Sequence, residues 1–270
     1  MTNIVGQKKL LAHLAKYDSI QSLPKTLIFI GPEGCGKHTL TKYLAEKFNL
    51  NYKEINETVS NIELEDYLYS TLDTLYVINL SNFSEKQQNQ FLKFIEEPSK
   101  STYVVLIATS ECGVLNTILN RCIKYTWEPY SKEEIEQITG TTVNELAFKI
   151  FKTPGKLLNL TNTSFQNIIS LVDELLKNID KSLYANSLVI STKLNYKDFY
   201  NKVDVSLFLD AVEYFAFENY KKMSTERDFK IFMITNQFKQ YNTKANLLKE
   251  ALILNYLTTL WEVLHDTSRA

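Results

Sequence analysis

The chain has 270 residues, 44% of them hydrophobic and 23% charged, with a formal charge of -1. That length exceeds what one hydrophobic core usually organises, so two or three domains are expected. The balance excludes a disordered or fibrous protein and one that coats nucleic acid by bulk electrostatics.

From Met1 to Leu10 the chain is polar, with no apolar core of the kind that export signals carry. No segment approaches 18 consecutive apolar residues. Neither export nor membrane insertion is therefore expected, and a cytoplasmic location is the default. Cys35, Cys112 and Cys122 are too few and too scattered for a disulfide framework or a four-ligand zinc site, which fits a reducing compartment.

Leu10, Leu11 and Leu14 fall at helical spacing and predict a short helix between Gln7 and Tyr17. Thr26 to Ile30 is β-branched and aromatic, is bounded by Pro24 and Gly31, and reads as a buried strand feeding a glycine loop. Leu40, Tyr43, Leu44 and Phe48 then restore helical periodicity. Leu75 to Ile78 and Tyr103 to Ala108 have strand composition. Between them Ser84 and Gln87 fit a capping box, Phe91, Leu92 and Ile95 recur on one helical face, and Pro98 closes the segment. Such alternation predicts an α/β domain, a parallel sheet covered by helices with ligands outside the carboxyl ends of its strands. Beyond Pro129 strand signals fade, and Ser131 with Glu134 opens a helical stretch. The expected division is an α/β domain over 1–130, a small helical unit over 131–180 and an all-α region over 181–270.

The loop Gly31-Pro32-Glu33-Gly34-Cys35-Gly36-Lys37-His38-Thr39 carries the frame of a phosphate-binding loop. In such a loop glycines let backbone N–H groups face the phosphates, the lysine reaches the terminal phosphates, and the next hydroxyl binds Mg²⁺. Gly31, Gly36 and Lys37 match that spacing. His38 stands where Ser or Thr is required, and Thr39 comes one position late, about 100° further round the helix. A hydrolytic site also needs a carboxylate on a second strand to hold the metal. The strand Leu75 to Ile78 instead ends in Asn79-Leu80-Ser81-Asn82. Hydrolysis by this site is not expected. Two states of the loop stay open: a strand-to-helix connector in which Lys37 caps a carbonyl, or a site that still binds ATP or ADP.

The run Asn89-Gln90-Phe91-Leu92-Lys93-Phe94-Ile95-Glu96-Glu97-Pro98 resembles the N-A-L-L-K-x-L-E-E-P signature of bacterial clamp-loader subunits of the AAA+ family. It is flanked in the right order by Val5-Gly6-Gln7, by Ile107-Ala108-Thr109-Ser110-Glu111, which resembles the sensor 1 strand, and by Ile118-Leu119-Asn120-Arg121-Cys122, which resembles the S-R-C motif with Asn120 for the serine. Thr153-Pro154-Gly155-Lys156 resembles the sensor 2 region in the form seen in delta-prime subunits, with Lys156 where an active ATPase commonly has arginine. Asn246 to Ala251, with Leu254 and Leu257, resembles the collar helices more weakly.

The resemblance implies an AAA+ P-loop domain, a helical lid and a helical collar, with Gly31, Gly34, Gly36, Lys37, His38, Thr39, Thr109 and Lys156 around any nucleotide. It implies that Arg121 reaches the nucleotide of a neighbouring subunit, against the alternative of a surface arginine paired with a nearby acid. The family's cysteine quartet is absent, so no zinc is expected, and no cofactor is required. The implied partners are other subunits of a hetero-oligomeric clamp loader, the sliding clamp, and primer-template DNA gripped by its backbone phosphates; no membrane is involved. A working ATPase of the same family, using Thr39 for the metal, is the alternative. An unrelated P-loop nucleotide kinase is a third reading, against which the Asn89 to Pro98 run and the helical C-terminus speak.

Overall fold

Every residue of β1 (Thr26–Ile30) and β4 (Thr102–Ala108) is buried in the computed structural model of the chain, which describes residues 4–56, 59–158, 160–179, 205–242 and 249–265. β3 (Thr74–Asn79) is buried up to its last residue, which is partly exposed. These are the inner strands of a five-stranded sheet in the order β2-β3-β4-β1-β5, parallel throughout. Strands covered on both faces need unbroken apolar runs. The edge strands β2 (Asn51–Ile55) and β5 (Ile123–Thr126) are mostly exposed and carry no such run.

Ile28 and Ile30, Tyr76 and Ile78, and Val104, Leu106 and Ala108 alternate along their strands and therefore share one face of the sheet. They pack with Leu64 of α3 (Asn61–Leu68), Phe94 and Ile95 of α5 (Leu92–Glu96) and Ile118 of α6 (Asn116–Leu119) in a single core. α1 (Lys8–Leu14) buries Leu10 and Leu14, and α2 (Lys37–Lys47) buries Leu40, Leu44 and Ala45.

The single helix expected after Ser84 is two. Ser84 and Gln87 do form the capping box of α4 (Glu85–Gln90), but the chain turns at Phe91 before α5 begins. Gln88 explains the break. Its buried side-chain amide donates to Phe83 O at 3.2 Å and Gly113 O at 2.9 Å and accepts from Leu115 N at 3.2 Å, while Phe91 is drawn into the core. The box at Ser131 and Glu134 opens α7 (Lys132–Thr139) as expected.

Contacts divide the chain into two compact units, Met1–Val143 with Thr153–Leu158, and Asn144–Lys152 with Asn159–Ala270. The stretch expected as a lid is thus shared out. α7 and α9 (Pro154–Leu157) go with the sheet, and α8 (Glu145–Phe151) and α10 (Asn162–Asn178) go with the second unit. Residues 180 and 181, the expected start of the collar, lie outside the described residues, as do Asn246, Leu247 and Leu248.

Among the described residues the second unit is all helix, adding Val205–Met223, Glu226–Asn242 and Lys249–His265. Phe165, Ile168 and Val172 of α10, Phe208 and Val212, Ile231, and Tyr256, Leu257 and Leu260 are buried, whereas Leu254 is exposed. Two polar contacts run through this apolar interior. The hydroxyls of Thr235 and Tyr256 meet at 2.8 Å, and Lys239 Nζ lies 2.7 Å from Asp210 Oδ1 and also pairs with Glu213. Burial pulls the Lys239 ammonium down, and the two carboxylates together outweigh it and hold it above the ordinary lysine value. No described helix is long and apolar enough to cross a membrane.

Candidate functional site: a self-contacting phosphate loop and a remote arginine

β1 delivers the chain into the loop at the carboxyl edge of the sheet, where Gly31 N donates to Ala108 O of β4 at 3.1 Å. Gly34 and Gly36 take left-handed conformations, φ 76° and 98°, and Gly36 caps α2. The backbone therefore has the course needed to present N–H groups at the start of an 11-residue helix. The lysine side chain turns back on the loop. Lys37 is buried, with Nζ donating to Gly31 O at 2.5 Å and Pro32 O at 2.7 Å, and it lies 3.7 Å from Cys35 Sγ. Burial lowers its pKa and raises that of the Cys35 thiol.

Two further contacts tie the loop down from outside. Tyr130 OH donates to Cys35 O at 2.8 Å, and Gly155 N, in α9, donates to Gly34 O at 2.8 Å. The two glycines touch backbone to backbone: a Cβ on Gly155 would lie 2.7 Å from Gly34 Cα. Beside them opens a cavity of about 190 Å³, mainly apolar, lined by the backbone of Gly34, Cys35 and Gly36 and by Val5, Trp127, Tyr130 and Leu158. Thr39 also lines it. Lys156 follows Gly155 in the same short helix.

The residue after the lysine faces the edge strand β2. His38 Nδ1 lies 3.6 Å from Glu54 Oε1 on β2, an acid that also accepts from Tyr52 OH at 2.5 Å and from Asn56 Nδ2 at 3.4 Å. The Tyr52 hydrogen bond lowers the Glu54 pKa, helped less by Asn56 and His38, and burial with the Glu54 bond pushes the Tyr52 phenol up to about 12. At the end of β3, Asn79 Oδ1 accepts from Ser81 N at 3.2 Å and caps a short 3-10 turn, Leu80–Asn82. Thr109 is exposed just past the end of β4. Among the described residues no three His, Cys, Asp or Glu side chains gather where they could hold a metal ion. The loop thus has the backbone course of a phosphate loop, with His38 following its lysine and Asn79 at the end of β3.

Arg121 is not with the other candidates. β5 runs parallel to β1 with Leu27 opposite Ile123 and Ile30 opposite Thr126, so Arg121 stands before the amino end of β5 while the loop leaves the carboxyl end of β1. About four strand residues, roughly 13 Å, separate the level of Ile123 from that of Gly31. Arg121 Nη1 donates to Thr117 O and Nη2 to Glu96 Oε1, both at 2.7 Å. The nearby acid is therefore present, and it is Glu96 of the Asn89 to Pro98 run. Cys122 packs against the core, and burial pushes its thiol up to about 12.

Tyr130, Glu54 and Glu96 were not among the expected site residues. The contacts of Tyr130 with Cys35, Glu54 with His38 and Glu96 with Arg121 join positions far apart in the chain, and no sequence spacing pairs them. Gly155 was visible within the Thr153 to Lys156 motif, without its role against Gly34.

A parallel β2-β3-β4-β1-β5 sheet with a phosphate loop after its fourth strand in space defines an AAA+ fold. The solved RuvB Holliday junction branch migration motor of Thermotoga maritima aligns with a TM-score of 0.50 at 14% identity, covering 77% of this chain and 88% of that one. Residues 51–131 match the family model described as DNA polymerase III, delta subunit. Replication factor C subunit 3 of Saccharomyces cerevisiae is 21% identical over 67% of this chain and 58% of its own length. The delta' subunit of DNA polymerase III from Bacillus subtilis is 36% identical over 63 residues, 23% of this chain and 19% of that protein. Replication-associated recombination protein A of Haemophilus influenzae is 27% identical over 53% of this chain and 33% of its own length. The chain thus spans less than two thirds of each of these curated relatives. In sequence it is similar to clamp-loader subunits and their relatives over part of its length.

Proposed function

We propose that this chain is a non-hydrolysing subunit of a replicative clamp loader, a hetero-oligomeric ring that places a sliding clamp on primer-template DNA, and that it offers Arg121 to the ATP of a neighbouring subunit. A guanidinium supplied in trans stabilises charge on the transferring phosphoryl group and needs no working site in the subunit that donates it. The observation that carries the proposal is the register of β5, which sets Arg121 at the end of the sheet away from this chain's own loop. Ile123, two residues on, is 46% exposed on the edge strand, as a surface covered by another subunit would be.

Three features support loss of hydrolysis: Lys37 engaged by its own loop, His38 facing Glu54, and Asn79 in place of a carboxylate. Purified chain alone is expected to show no ATP turnover above a Lys37→Ala control. Turnover that Lys37→Ala abolishes would make the chain a working ATPase instead. The cavity beside Gly34 to Gly36 favours one further point, that ATP or ADP is held without being cleaved. Equilibrium dialysis with ADP tests it: the expected result is binding that Lys37→Ala removes, and no binding by the native chain overturns it.

A further inference from the structure

Arg121 is held at two points by two different elements. Nη1 donates to Thr117 O within α6, and Nη2 donates to Glu96 Oε1 at the end of α5, 25 positions earlier in the chain. Arginine has five N–H donors, and these contacts use two of them, one on each terminal nitrogen. Among the described residues the Nε hydrogen and one hydrogen on each Nη meet no further acceptor, which leaves enough to grip a phosphate through two nitrogens at once. Fixing both terminal nitrogens also removes most of the rotamer freedom of a long side chain before any partner arrives.

We propose that Glu96 is the positioning residue for Arg121: its carboxylate, fixed on α5, sets the direction in which the guanidinium faces a neighbouring subunit. This rests on the trans role proposed above. α5 is a firm base for such a contact, because Phe94 and Ile95, the two residues before Glu96, are fully buried in the core of the sheet. The two side chains of the pair are themselves 35% and 49% exposed. Ion pairs with that much solvent add little to stability, so the contact acts on geometry and not on holding the fold together. The amino-acid run that resembles the clamp-loader signature then has a physical task at its Glu96: it orients an arginine supplied by a different motif.

The test uses full-length chain in the complex that co-purifies with it, comparing native, Glu96→Ala, Glu96→Gln, Arg121→Ala and the Glu96→Ala/Arg121→Ala double variant. Displacement of a reacting group by about 1 Å lowers rates up to ~100-fold, and a partly restrained arginine loses less. Glu96→Ala is therefore expected to lower kcat for ATP roughly 3- to 10-fold, with KM changed less than about 2-fold and the melting temperature of the chain unaltered. Glu96→Gln, whose amide oxygen still accepts from Nη2, should recover at least half of the native rate. The double variant should be no slower than Arg121→Ala. Native kcat in Glu96→Ala beside an impaired Arg121→Ala overturns the positioning role and leaves the trans arginine standing. Losses that multiply in the double variant, or a fall in melting temperature that accounts for the lost rate, overturn it as well. Native kcat in Arg121→Ala overturns the trans role and this inference with it.

Discussion

Gly155→Ala perturbs the place where the sequence and the loop geometry are most tightly bound together. The added Cβ would lie 2.7 Å from Gly34 Cα and 2.9 Å from Gly34 O, so it meets backbone that cannot rotate away. α9 must retreat, and the 2.8 Å hydrogen bond from Gly155 N to Gly34 O is lost with it. The bond contributes about 0.5–1.5 kcal/mol and overpacking of this kind costs about 1–3 kcal/mol. Against these, alanine is favoured over glycine in a helix by roughly 1 kcal/mol. The steric effect wins, and a net loss of about 1–3 kcal/mol is expected. Urea unfolding followed by Trp127 fluorescence in a Trp261→Phe background reads the sheet unit by itself, because these are the two tryptophans of the chain. Gly113→Ala, whose Cβ would meet nothing within 4 Å, serves as the control and should change little. A Gly155→Ala protein as stable as native would refute the backbone contact between α9 and the loop.

In the second unit Thr235→Val should destabilise more than Tyr256→Phe. The first strands a fully buried phenol, at about 1–3 kcal/mol, whereas the second leaves the Thr235 hydroxyl its bond to Ile231 O at 2.7 Å and costs about 0.5–1.5 kcal/mol; chemical denaturation decides the order. Asp210→Ala should lower stability at neutral pH, since it removes the more deeply buried partner of a half-buried ammonium. Because the Lys239 pKa is raised on folding, that contribution is complete below the ordinary lysine value of 10.5 and disappears as pH climbs through the folded value; a melting temperature in Asp210→Ala equal to native at pH 8 contradicts the assignment. Glu54 has the opposite sign. Its pKa is lowered on folding, so its contribution is present above 4.5 and fades as pH drops through the folded value, and Glu54→Gln should flatten the acid limb of the stability profile.

The inner sheet was legible because β1, β3 and β4 are covered on both faces and so carry apolar runs. β2 was not, since four of its five side chains are at least partly exposed, and without β2 nothing in the sequence could place Glu54 opposite His38. The capping boxes at Ser84 and Ser131 were readable as local chemistry, but the turn at Phe91 depends on Gln88 reaching Gly113 and Leu115, which no periodicity encodes. At the site, spacing alone identified Gly31, Gly36 and Lys37. The direction Lys37 takes, towards Gly31 O and Pro32 O, is decided by packing. The pairing of Arg121 with an acid was the alternative to its trans role and left the acid unnamed, because the contact with Glu96 closes a gap of 25 residues.

Arg121→Ala in the assembled complex tests the central claim most directly. DNA-stimulated ATP turnover should fall by at least about 10-fold at the neighbouring site that receives the arginine, with the mass of the complex unchanged. An intact complex that turns over ATP at the native rate would contradict the trans role.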